Sequence, residues 1–436
     1  MSLSKQTSET IFELRAYVNM RIRIPLPVLL LWVLFSCDLS RASDLVLVGA
    51  KIYSSPTETP IENGSILVHD GRILAVGPSA SMKFPRAAIV VNCKGLVITA
   101  GFWNSHVHIL TPSLLHAEKL PSDKITSQLE DMLTRWGFTT VFDIASVLDN
   151  TTLIRRRIES GEVKGPRILT VGEPFWVKGG TPVYVRGFLE ANHINIPEVE
   201  SSVQAIERVR QQIRDGADGI KIFTGSIGSI ERGGILIMPV DMAKAIVSEA
   251  HRAGKPVFAH PSNGEGIEVA IQSGVDVLAH PATEGNPYTP SLTLRMKAAH
   301  IALIPTLTLF DVEGKKSGEP AEEIEKWIDM AVQEVKTYSN AGGQILFGTD
   351  VGYIEQFDTS EEFALMFRAG MSFKQILASL TTNPAERFGY SAHGGRIAKG
   401  MDGDLVVLRA DPAQDVTAFS KVRYTIRGGK VIFSDR

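Results

Sequence analysis

The 436-residue chain has only two cysteines, Cys37 and Cys93, too few for a disulfide-stapled scaffold. It has almost no excess charge, since 45 Lys+Arg against 48 Asp+Glu leave a net of −3. No dense Lys/Arg block occurs, so there is no basic field to attract nucleic acid. No apolar run is long enough to span a bilayer, which takes about 20 residues. GxSxG, HExxH and Walker-type sequences are all missing, which excludes the commonest serine-hydrolase, zincin and P-loop chemistries. What remains, with 44% hydrophobic residues, is an ordinary globular composition. The length suggests two or three domains, or one large barrel with an accessory piece.

The N-terminus stands apart. Arg21 and Arg23 precede the apolar run Ile24–Phe35, which Pro25 and Pro27 interrupt, and Ser40-Arg41-Ala42 closes it. That is the three-part layout of a secretory signal peptide. Residues 1–42 are therefore read as signal peptide plus upstream segment, with Met20 as the expected working start. The mature protein is expected to begin near Ser43 and to be periplasmic or secreted. Leu34-Phe35-Ser36-Cys37 is a rough lipobox, so a lipid anchor at Cys37 is the alternative to cleavage after Ala42. A buried N-terminal helix is a third reading of the run. Cleavage would leave 40 basic against 45 acidic residues, a net of −5, and Cys93 as the single cysteine. No internal disulfide then forms, even in an oxidising compartment.

Residues 43–98 read as β structure. Asp70-Gly71 sits between two alternating apolar runs, a strong hairpin signal. The C-terminus repeats the style in "GDLVVLRADP" and "VRYTIRGGKVIF", the latter hinged at Gly428-Gly429. Segments 43–98 and 392–436 are expected to form one composite β domain, a small sandwich built from both chain ends. Residues 99–391 differ. The apolar runs "GLVITAGF", "TTVFDIA", "RILTVG", "GIKIFTG", "PVFAHP", "VLAHPA", "ALIPTLTL" and "ILFGTD" alternate with helical patterns such as "VQAIERVRQQIRDG". Fully apolar runs separated by helices indicate parallel strands buried on both faces. The expected fold class is α/β, a (β/α)8 TIM barrel, with a doubly wound open sheet as the alternative. The polar stretch Phe310–Ala321 is expected to be a mobile loop.

Chemistry collects at the C-terminal ends of these runs, where barrel enzymes keep their active sites. His106 and His108 follow the first run. Their i, i+2 spacing puts both imidazoles on one face of a strand, within reach of one metal. Lys221 lies inside the fourth run, while His260, His280 and Asp350 end the fifth, sixth and eighth. Singly, each has a plain reading as a packing histidine, a snorkelling lysine or a capping aspartate. Together they form a constellation at one end of the fold.

With these residues in hand, the chain resembles the amidohydrolase superfamily over nearly its whole mature length. "GLVITAGFWNSHVH" looks like that family's first-strand motif. "GADGIKIF", "HRAGKPVFAH", "SGVDVLAHPA" and "LFGTD" match its fourth, fifth, sixth and eighth strands in order, and "GGRIAKGMDGDLVVL" is similar to its C-terminal sheet signature. The pattern looks most like the imidazolonepropionase-like and prolidase-like branch, which includes binuclear dipeptidases. The resemblance implies that His106, His108 and Asp350 bind the more buried of two divalent metal ions, with zinc expected. It implies that His260 and His280 bind the second ion, and that Lys221 bridges both as a CO2-derived carbamate. It implies a metal-activated hydroxide attacking a C–N bond, with Asp350 as the catalytic proton acceptor and donor. Pro281 after His280, "HPSN" after the fifth run and "FWNSH" in the first depart from the branch. None removes a ligand, but all alter the pocket wall.

The leading expectation is thus an amidohydrolase, a hydrolase of an amide, dipeptide or cyclic amide with a small-molecule substrate. A mononuclear imidazolone-type hydrolase or deaminase with unmodified Lys221, and a non-catalytic binding barrel, remain the alternatives. A homo-oligomer is compatible with the sequence. Substrate contacts are expected from "GEPFWVKGGTPVYVRG", where Gly179-Gly180 gives a turn. Tyr184 there is a candidate donor to a carbonyl oxygen. Lys178 or Arg186 is a candidate carboxylate clamp, and Tyr353 a further wall residue.

Overall fold

A computed structural model describes residues 44–229, 234–282 and 288–435. The expected signal segment 1–42, with Cys37, lies outside the described residues. Among the described residues no helix is long and apolar enough to cross a membrane.

The middle of the chain is α/β. β1 (Phe102–Val107), β2 (Phe138–Asp143) and β3 (Arg167–Thr170) form a parallel three-stranded sheet. β4 (Ile220–Phe223), β5 (Val257–His260), β6 (Val277–Ala279), β7 (Ala302–Ile304) and β8 (Gln344–Ile345) form a parallel five-stranded sheet in that order. Isolated parallel bridges join Phe175 to Ile222 and Val107 to Val351. Phe142 of β2 and Phe258 of β5 belong to different sheets, yet their rings meet at 4.7 Å. They share an apolar cluster with Val277, Ile304 and Leu346. These strands are mostly buried because one face packs on this shared interior and the other on helices, and the polar His106, Asp143 and His260 fall toward their C-terminal ends.

The helices follow their sequence patterns. Helix Ser202–Arg214 buries Ala205 and Val209 at helical spacing, and its cap Ser201 accepts a hydrogen bond from the Gln204 amide. Helix Gly264–Ser273 starts at Asn263, whose side chain accepts from the Gly266 amide. The "HPSN" sequence after β5 therefore supplies a helix cap. The stretch Phe310–Ala321 is not the loop expected from its polarity. Helix Thr308–Lys316 covers its first half and helix Ala321–Asn340 begins at its end. Gly314 is tolerated because it packs under Ile324, which a Cβ would approach to 2.7 Å.

Both chain ends enter one eight-stranded sheet. Val97–Ala100 pairs antiparallel with Leu405–Leu408, which joins the two ends. Leu45–Ile52, Ile61–His69 and Arg72–Pro78 continue on one side of that seam, and Val422–Arg427 and Lys430–Ser434 on the other. Asp70 and Gly71 have φ of 49° and 76°, the left-handed pair that a two-residue hairpin requires. Leu47, Ile52, Ile98, Leu405 and Val407 form this sheet's core, with the unpaired thiol of Cys93 buried beside them. The run "GLVITAGF" splits between the two parts of the fold. Val97–Ala100 belongs to the terminal sheet, and β1 starts at Phe102. The switch falls at Gly101, where a Cβ would lie 2.2 Å from Thr139 Oγ1. Residues 43–436 form one compact unit. Contacts such as Phe102 to Phe419, with ring centroids 5.8 Å apart, tie the C-terminal segment to the α/β part.

Candidate active site

The strand ends bring the histidines together. His106 lies on β1 and His108 one residue beyond it, and their Nε2 atoms are 3.3 Å apart. Asp350 Oδ1 lies 3.0 Å from His106 Nε2 and 2.7 Å from His108 Nε2. His280 Nε2 is 3.7 Å from the other Asp350 oxygen. Ligand atoms of His106, His280 and Asp350 fall within 4.8 Å of one another. The segment carrying Asp350 reaches β1 because Gly348 has no side chain. A Cβ there would lie 2.3 Å from Ile304 and 2.7 Å from His106. His280 and Asp350 themselves sit at φ of 82° and 62°, a left-handed conformation rare for such residues.

Outer hydrogen bonds set the ring orientations. His108 Nδ1 lies 2.8 Å from the Ala145 carbonyl, which can only accept, so Nδ1 carries the hydrogen. In the neutral ring, Nε2 then turns its lone pair toward Asp350. The loop that presents Ala145 is clamped by Asp143. This buried carboxylate accepts from the Ile109 amide at 3.2 Å, Ser146 Oγ at 2.5 Å and Thr170 Oγ1 at 2.8 Å.

His260 and Lys221 complete the floor of the same cavity. The His260 ring stacks on Phe223 at 4.6 Å and meets His280 at 5.1 Å. Lys221 is 2% exposed, and burial lowers its amine to about 7. Burial also lowers His106 to about 4 and His260 to about 3, and it holds His280 well below its ordinary value. His108 goes the other way. Its burial is outweighed by Asp350, which raises it. Burial would raise the Asp350 carboxyl, but the imidazoles, His106 foremost, hold it well below its ordinary value.

The cavity above this floor has a volume of about 420 Å³, in the range of small-molecule sites. Tyr184 and Tyr353 both line it, with ring centroids 5.7 Å apart. Lys178 and Arg186 are not among its lining residues. Lys178 is exposed and pairs with Glu200 at 3.1 Å. Arg186 donates to the Thr181 carbonyl at 2.9 Å and the Gly228 carbonyl at 2.5 Å. Its guanidinium fastens this segment to strand Gly225–Ser229, which pairs antiparallel with Gly234–Ile237. Glu313 and Lys316 line the cavity and were not foreseen, because their segment reads as a loop. Their three-residue spacing on a short helix was the available signal.

The Amidohydrolase family model matches residues 97–432. The ochratoxinase of Aspergillus niger is 23% identical over 413 residues, covering 85% of this chain and 83% of that protein. A crystal structure of a Xaa-Pro dipeptidase with bound methionine superposes with a TM-score of 0.77 at 22% identity, covering 90% of this chain and all of the other. The structure of A. niger ochratoxinase gives a TM-score of 0.74 at 19% identity, covering 90% of this chain and 96% of that one. At these identities the superpositions speak for the fold, while the family match spans most of the chain. The chain belongs to the amidohydrolase family.

Proposed function

We propose that the protein is a metal-dependent hydrolase that cleaves the C–N bond of an amide, a dipeptide or a cyclic amide. The observation that carries this reading is the meeting of His106, His108, His280 and Asp350 at the cavity floor. The donor set fits a divalent ion. A lone pair on neutral His108 Nε2 facing a carboxylate oxygen at 2.7 Å needs a cation or a proton near it. His106 and His108 with Asp350 would hold one ion, and His260 with His280 a second. Lys221 as a carbamate would bridge them. Imidazole and carboxylate ligands suit zinc, with manganese or cobalt as substitutes. Bound there, the ions supply the Lewis acidity that polarises a carbonyl and makes a water acidic near neutral pH.

The chain's own groups do the rest. Lys221, held near pH 7 by burial, offers the uncharged amine that must attack CO2. Asp350 takes the proton of the attacking water and passes it to the leaving nitrogen. Tyr184, whose phenol burial keeps neutral, donates toward the carbonyl oxygen as negative charge develops there. Asp350→Asn tests the assignment. Turnover should fall by about 10²–10⁴-fold with the fold retained, and turnover like that of wild type would remove Asp350 from its role.

A single-ion reading is favoured by one observation, the grouping of His106, His280 and Asp350 around one point. In it Lys221 stays unmodified, and metal stoichiometry separates the two.

The two parallel sheets are best read as one (β/α)8 barrel. The bridges at Phe175 and Val107 and the Phe142–Phe258 contact support closure. The terminal sheet, folded around its own core, is read as the small sandwich of residues 43–98 and 392–436. Export rests on the sequence of residues 20–42 alone. N-terminal sequencing of protein from its native host should find a start near Ser43, and a product that retains residue 30 would refute cleavage.

A further inference from the structure

The cavity is asymmetric in chemistry. Its floor is polar, but one wall is apolar. Trp176, Leu189 and Phe223 form a small cluster separate from the main core. Val185, Phe188 and Ile196 pack against that cluster while lining the cavity. Val185 and Phe188 sit on helix Val183–Ala191, most of which is only partly buried, with Leu189 its one buried residue. A helix face this apolar, left partly open beside a reaction centre, is short of a partner. The charged residues Glu313 and Lys316, which also line the cavity, do not commit the site to a charged substrate. Lys316 and Glu313 are paired with each other at 3.1 Å, and so exposed a pair contributes little.

We propose that this wall is the binding site for one arm of the substrate, and that the arm is a large, uncharged, apolar group such as an aromatic ring system. This rests on the hydrolase reading above and adds the substrate class. The test uses zinc-loaded protein and two matched series of simple amides. One varies the acyl arm (acetyl, hexanoyl, 2-naphthoyl) and the other the amine arm (methyl, hexyl, 2-naphthyl). In one series kcat/KM should rise roughly 100-fold from the smallest to the largest arm. Phe188→Asp should flatten that rise, and Phe188→Ala should weaken it if the charged variant fails to fold. Tryptophan fluorescence gives an independent reading of binding by the naphthyl amides. Saturable binding without turnover would keep the apolar site and overturn the hydrolase. Turnover with both series flat would keep the hydrolase and overturn the apolar site.

A second inference comes from the backbone. Thr306 is β-branched, fully buried and at φ 43°, a costly conformation that only its surroundings can impose. Its hydroxyl donates to the Pro305 carbonyl at 2.9 Å and lies 2.6 Å from His280 Nδ1. With its hydrogen committed to Pro305, the hydroxyl can only accept from the imidazole. The next two residues are gripped by buried Glu362, which accepts from the Leu307 amide at 2.9 Å and from the Thr308 amide at 2.8 Å. We infer that Thr306, held by Glu362, is a positioning residue that fixes His280 in the tautomer with its lone pair on Nε2, facing Asp350. Nitrogen-15 spectra of the imidazoles in metal-free protein read this directly. Wild type and Thr306→Ser should show His280 protonated at Nδ1, and Thr306→Val should lose that single tautomer. Thr306→Gly relieves the φ strain, so it should fold and yet lose the tautomer too. The metal-loaded Val variant should bind metal about 10–100-fold more weakly. A folded Val or Gly variant with the wild-type His280 spectrum would overturn the inference whatever the metal content.

Discussion

His108 Nε2 and Asp350 Oδ1 lie 2.7 Å apart, while the opposite ring nitrogen of His108 is bound to the Ala145 carbonyl. A neutral His108 therefore has no hydrogen to give Asp350. Either a proton or a metal ion must reconcile the two, so the two compete.

That competition gives a pH dependence with a definite sign. Asp350 raises the pKa of His108 above 6.5, whereas His106 and His260 are lowered to about 4 and about 3. As pH falls through the raised value, His108 takes a proton and the cation is released. His106 and His260 stay neutral until much lower pH, while the Lys221 amine, lowered to about 7, takes up its proton in the same window. Metal retained after gel filtration should fall as pH is lowered, with a slope of at least one proton. Retention that is flat from pH 8 to pH 5 would show that His108 is not a ligand.

Arg186→Met should act on stability and not on substrate choice. The guanidinium bonds the Thr181 and Gly228 carbonyls, and losing such charge-assisted bonds costs roughly 1.5–3 kcal/mol. Thermal unfolding should move down, while acidic and neutral substrates should lose rate in equal proportion. A loss confined to acidic substrates would return Arg186 to the substrate site.

Glu334, on helix Ala321–Asn340, is 1% exposed, and among the described residues only the Ala282 backbone lies near enough to favour its charged form. Burial raises its carboxyl to about 9. An acid raised on folding binds its proton more tightly in the folded state. Its contribution to stability is therefore best at low pH and declines as pH rises from the unfolded value toward 9. Glu334→Gln should leave stability unchanged at pH 5 and raise it by roughly 1–3 kcal/mol at pH 8. Chemical denaturation at the two pH values measures this, and equal effects at both would contradict it.

Much of the site was legible because strand ends impose it. His106 and His108 reach one point through their i, i+2 spacing, and an apolar run ending in His or Asp marks the end of a parallel strand. Other features depend on partners far away in sequence. Nothing local says that "GLVITAGFW" breaks at Gly101. Leu405–Leu408 claims one half, and Thr139 leaves no room for a side chain at the join. Arg186 reads as a carboxylate clamp until the Gly228 carbonyl, on strand Gly225–Ser229 after β4, takes its guanidinium. Glu313 and Lys316 were missed because the polarity of Phe310–Ala321 reads as a loop, whereas helix Thr308–Lys316 forms there with Gly314 packed under Ile324. Thr306 gives no signal at all in the sequence, since its role lies in a φ angle and in Glu362, more than fifty residues on.

The central claim is that His106, His108, Lys221, His260, His280 and Asp350 hold two metal ions. Elemental analysis of the protein purified without chelators, beside Lys221→Ala, tests it most directly. Wild type should carry close to two divalent ions per chain, chiefly zinc, and Lys221→Ala close to one. A wild-type value near zero, or a value near one that Lys221→Ala leaves unchanged, would contradict the claim.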